Sequence, residues 1–108
     1  MISRVMGDAG IPYRRARFSP PPVGSYAVYF DDVSTQGPDG APAMILLHSI
    51  TLELYVADLD GPDEANVEEA LCNAGLMYEK DGGEWLDSVQ RYQINFYFDY
   101  REKRRATS

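Results

Sequence analysis

Between Met44 and Asp58 the chain reads MILLHSITLELYVAD, and its even positions Met44, Leu46, Ile50, Leu52, Leu54 and Val56 are apolar, with His48 the sole interruption. Side chains alternate across a strand, so this stripe predicts one long β-strand with a single buried face. Ser49, Thr51 and Glu53 place polar groups on the other face. A helix accounts for less of the pattern. Leu46, Leu47, Ile50 and Leu54 would share one helical face, but Leu52 and Val56 would leave it, and β-branched and aromatic residues favour a strand.

Other segments supply the partners. Ser25 to Asp31 predicts a strand with Tyr26, Val28 and Phe30 on one face and Ala27 and Tyr29 on the other. Near the end, Tyr92, Ile94, Phe96, Phe98 and Tyr100 alternate with Arg91, Gln93, Asn95, Tyr97 and Asp99, predicting a strand that pairs with 44–58. Shorter strands are predicted within IPYRRARF (11–18) and from Leu76 to about Asp81, the latter ending in a Gly82-Gly83 turn. Ile2, Val5, Met6 and Ala9 recur at helical spacing before Gly10. A second helix is expected to open with Asp60 as cap and Pro62 in its first turn, to bury Val67, Ala70, Leu71 and Ala74, and to close at Gly75. The phrase Ala-Gly-Leu-Met-Tyr-Glu at 74–79 echoes Ala-Gly-Ile-Pro-Tyr-Arg at 9–14, which predicts one helix-to-strand exit used twice. The order α-β-β-β-α-β-β predicts an α+β fold: an antiparallel or mixed sheet of four to five strands with two helices packed on one face.

A chain of 108 residues is expected to form one domain, 1–108, with a basic tail at 101–108. No run approaches the roughly 20 apolar residues of a membrane span, and the opening MISRVMGDAG lacks the core of a secretory signal, so a soluble protein assembled in the cytoplasm is expected. Charge is segregated. Arg4, Arg14, Arg15 and Arg17 lie near the start and Arg101, Lys103, Arg104 and Arg105 near the end, while 18–100 holds 15 of the 17 acids and only Lys80 and Arg91 as bases, a formal −13. Such a body repels nucleic acid, since phosphate binding needs a basic face. The four C-terminal bases are instead the candidate contact to a neighbouring subunit or protein partner, reaching toward an acidic surface.

Candidate chemistry is sparse. Asp32 to Pro42, DVSTQGPDGAP, carries turn pairs and no periodicity, and is expected to be a mobile hairpin loop in which Asp32, Gln36 and Asp39 become ordered on assembly. Its acids lack the ligand spacing of a calcium loop. His48 could be a proton shuttle or a ligand, but its place in an apolar strand stripe favours a packed histidine with satisfied ring nitrogens. Cys72, the lone thiol, reads as a packing residue, and one cysteine with one histidine cannot form a zinc site from thiolates and imidazoles. The adjacent acids Asp31-Asp32 and Glu68-Glu69 diverge in a strand or helix and form no shared-proton dyad. No catalytic residue, metal site or cofactor is therefore expected, and the chain is not expected to be an enzyme.

The strand phrase Ile50-Thr51-Leu52-Glu53-Leu54-Tyr55, the helix leading to Gly75 and Tyr78-Glu79-Lys80, Trp85, and the closing Tyr92-Gln93 strand together resemble the tail terminator and minor tail (tail-completion) proteins of long-tailed phages. The resemblance spans roughly 10–100. It departs from the family in a short first helix and in the ending REKRRATS. It implies an α+β subunit of a virion tail or neck, forming a ring, commonly hexameric, that ends the tail tube. The implied partners are other copies, the tail tube protein and the head-tail connector or stopper, with DNA passing through unbound. Two alternatives stay open: a small ligand-binding or regulatory domain, and another neck component such as a head-side stopper.

Overall fold

A computed structural model describes residues 1–36 and 43–105. The elements run α1 (Ile2–Ala9), β1 (Tyr13–Arg15), β2 (Tyr26–Gln36), β3 (Ala43–Val56), α2 (Pro62–Asn73), β4 (Glu79–Leu86) and β5 (Arg91–Arg105), in the predicted order. The five strands form one mixed sheet, β1-β2-β3-β5-β4, with β1 parallel to β2 and every other pair antiparallel.

The helices cover one face. Val5, Met6 and Ala9 of α1 and Val67, Ala70 and Leu71 of α2 join Ile50, Leu52, Leu54, Val56, Ile94, Phe96 and Phe98 in one core. From Leu46 to Val56 the even stripe of β3 is thus the buried face that its alternation requires, with Met44 left exposed, and burying each large apolar member contributes about 1.5–3 kcal/mol. Both helices leave by the same exit. Gly10 and Gly75 adopt left-handed φ of 71° and 74°, and the amides of Ile11 and Leu76 donate back to Met6 O and Leu71 O. The echo between 9–14 and 74–79 is this shared cap.

Several boundaries differ from the sequence reading. Asp32 to Gln36 continue β2 as a regular strand paired with Ile45 to Ser49, because an adjacent long strand supplies ladder partners that local turn propensity ignores. Asp39 and the rest of 37–42 lie outside the described residues. Arg101 to Arg105 are likewise the end of β5, opposite Ala43 to Leu47, and no tail begins at 101. Gly82 and Gly83 sit in a bulge inside β4, where the register shifts between Gly82 and Glu84, in place of the predicted turn. At Gly82 (φ 100°) a Cβ would stand 2.8 Å from Gln93 O, so a side chain is excluded there. Asp60 does not cap α2. Gly61 is the cap residue, and Glu64 reaches back to accept the Asp60 amide at 3.1 Å.

The strands outrun their cover. β5 has 15 residues, roughly 50 Å at about 3.4 Å per residue, which matches the molecule's longest extent of 50 Å. The core under the helices ends at Ile50 and Phe98. Beyond it, 31–36 of β2, 43–49 of β3 and 99–105 of β5 project as a three-stranded arm.

Candidate assembly interface on the arm

The arm carries the chain's only histidine, buried at 8% exposure. His48 extends the apolar stripe of β3, so it faces the helix side, as do Asp31 on β2 and Glu102 on β5. Its Nδ1 lies 2.8 Å from Asp31 Oδ2 and its Nε2 3.0 Å from Glu102 Oε1. A neutral imidazole can donate to only one carboxylate, whereas an imidazolium donates to both. Burial by itself would lower the His48 pKa, but the hydrogen bonds that the ring donates to Asp31 and Glu102 outweigh it and hold the ring above its ordinary value. Hydrogen bonds accepted from His48, then from Arg104, hold Glu102 below its ordinary value.

The ring also stacks flat on Tyr100, with centroids 4.4 Å apart and planes within 2°. This arrangement favours an imidazolium held between three strands. With both nitrogens engaged, no lone pair is free for proton abstraction, and the two carboxylates sit on opposite edges of the ring instead of converging on a metal. Among the described residues no group of three or more histidine, cysteine or acidic side chains is placed to hold a metal ion. Cys72 is exposed, contrary to its reading as a packing residue.

Around this bridge the arm leaves apolar side chains open on both faces. Val33 and Met44 are exposed on the helix side, Ile45 on the other, where Phe30 is exposed at the base of the arm. Strand alternation also splits the basic residues predicted as one contact. Arg101 and Lys103 share the helix-free face with Asp32, while Arg104 turns to the helix side and donates to Glu102 at 3.3 Å. Arg105 is the last residue of β5, opposite Ala43, and Gln36 ends β2 opposite Ile45. The Asp31, His48, Glu102 bridge escaped sequence reasoning. Position parity puts each residue on the inner face of its strand, but only the register brings them within reach.

Toward the other end, the helix-free face buries Tyr26 and Val28 on β2 and carries a polar cluster on β3, β4 and β5. Asn95 and Tyr97 both donate to Asp81 Oδ1, at 3.0 and 3.2 Å, and Tyr55 donates to Glu53 at 2.9 Å. Buried Glu64 pairs with Lys80, whose pKa is raised chiefly by that hydrogen bond. A 600 Å³ groove lies between Gly75–Glu79 and Tyr97–Asp99, beside the point where β4 begins. No protein-family model matches the chain, and neither the curated proteins nor the solved structures yield a match.

Proposed function

We propose that the chain is a structural subunit of a phage tail or neck, assembling as a ring that ends the tail tube and joins it to the head connector. The observation that carries this reading is the arm: an extended three-stranded projection with Val33, Met44 and Ile45 exposed and Phe30 exposed at its base, a surface suited to burial between subunits. The resemblance of the Ile50 to Tyr55, Gly75 to Lys80 and Tyr92-Gln93 segments to tail terminators supplies the setting. The acidic polar face bearing Glu53 and Asp81 supports a surface that repels passing DNA. In this reading the protein has no catalytic role and needs no cofactor.

Negative-stain microscopy of the purified protein with and without tail tubes tests it. Rings that seat on tube ends are expected, and particles lacking the protein should have tails of abnormal length without heads. Normal tails and normal head attachment in its absence would overturn the proposal. The 600 Å³ groove favours a second reading, a small-molecule module, which a ligand-dependent rise in melting temperature would support.

A further inference from the structure

Two stretches of strand edge in the arm have no partner among the described residues. β1 covers β2 only at Ala27 to Tyr29, and β4 covers β5 only from Arg91 to Tyr97. We propose that the open edge of β5 adds in parallel to the open edge of β2 in a second copy of this chain, with Arg101 beside Asp32. This deepens the assembly reading above and rests on it.

The hydrogen-bond directions of the two edges permit that join along 30–36 and 99–105, upstream of which β1 and β4 part the two sheets. On β2 the Ala27 amide donates to Pro12 O and Tyr29 O accepts from Ala16, so odd residues turn their backbone groups away from β3. The same alternation aims Asp31 and Val33 outward. On β5, Gln93 O and Asn95 N lie against Gly82 of β4, so odd residues face that side and Arg101 presents its amide and carbonyl at the open edge. In a parallel pair a residue bonds to the two neighbours of its register partner. Arg101 then bonds Asp31 and Val33, its partner is Asp32, and both side chains share the helix-free face. An antiparallel join of the same edges would set Arg101 opposite Val33, whose side chain points to the helix side, and would throw the helices of successive copies onto alternate faces.

Charge selects the same partner. Pairing β5 with β5 of another copy would bring Arg101 and Lys103 against their equivalents, and pairing β2 with β2 would oppose Asp32 to Asp32. Joining β5 to β2 sets a base beside an acid. Such a contact is head to tail, the kind that closes rings. Within one chain Ser34 is level with Arg101 through Leu47, so Asp32 beside Arg101 offsets successive copies by two residues.

Sedimentation velocity of the full chain with Asp32→Arg, Arg101→Asp and their equimolar mixture tests the contact, with circular dichroism reporting folding. Each single variant should raise the apparent dissociation constant about tenfold or more. The mixture should assemble again, because alternating the two variants restores an Arg-Asp pair at every join. Folded single variants that assemble like the wild type, or a mixture that stays dissociated, would overturn the contact while leaving the ring reading in place. A wild-type chain that is monomeric at every concentration and absent from tails would overturn both. In a Cys72→Ser background, Asp32→Cys with Arg101→Cys should oxidise to a ladder beyond dimers. A self-linked dimer from Asp32→Cys alone would mark a two-fold contact and refute the head-to-tail one.

Discussion

The covered half of the sheet and the arm share three strands, β2, β3 and β5, yet they are held in different ways. Under α1 and α2, Leu52, Leu54 and Phe96 are fully buried, and their stabilisation is apolar area removed from water. In the arm the same alternation continues, but Val33 and Met44 remain exposed, and the inner face closes around one charged bridge from Asp31 through His48 to Glu102. A strand pattern therefore creates a buried face only where another layer arrives to cover it. Where none arrives, ladder hydrogen bonds and a satisfied polar cluster keep the strands together, and the uncovered apolar groups remain available to a neighbour.

The largest expected break is on the covered side. Phe96→Ala should cost about 3–5 kcal/mol in urea unfolding and destabilise the whole domain, arm included. A loss under about 1 kcal/mol would mean that the helices do not clamp the sheet as described.

His48→Ala should act more locally, at about 1–2 kcal/mol, by leaving Asp31 and Glu102 without the cation between them. Amide hydrogen exchange should quicken at 31–35 and 99–104 while the amides of α2 keep their protection. Equal acceleration everywhere would remove the distinction between the two regions.

A pH titration sharpens the same contrast without mutation. Because the folded-state pKa of His48 is raised, its contribution is complete below the ordinary histidine value of about 6.5 and is lost as pH rises through the raised value. Glu102 has the opposite sign. Its pKa is lowered, so its contribution is present above the ordinary glutamate value and is lost as pH falls through the lowered one. The arm should be most protected between these limits, and the His48 ring resonances should titrate with a midpoint above 6.5. A midpoint below that value would contradict the doubly held imidazolium.

The smallest effect on folding is expected from replacing Arg101, Lys103, Arg104 and Arg105 together with alanine. Exposed substitutions of this kind each shift stability within about 0.5 kcal/mol, so the melting temperature of the free subunit should barely move. Assembly should weaken, most visibly at low salt, since screening already removes much of a surface attraction at roughly physiological ionic strength. Unchanged assembly at low salt would separate these bases from the subunit contact.

Much of the covered half was legible in the chain. The period-two stripes of 44–56 and 92–100, the helix stripes ending at Gly10 and Gly75, and the element order all follow from local alternation and capping chemistry. The arm was misread because its evidence is relational. Asp32 to Gln36 look like a turn region when read alone, and become strand because Ile45 to Ser49 run alongside. Arg101 to Arg105 look like a polar tail, and become strand for the same reason.

Sequence by itself determined the periodicities and the acidic body with its basic ends, because these depend on residue type and spacing along one chain. Tertiary structure decided where each strand ends and which side chains meet. Register converts an inner-face acid on β2, a histidine on β3 and an acid on β5 into one bridge, and it parts Arg101 and Lys103 from Arg104 across two faces. The physical reason is that ladder hydrogen bonds and ion pairs over a few ångströms depend on which strands lie side by side and at what offset, and an alternating pattern is compatible with many offsets.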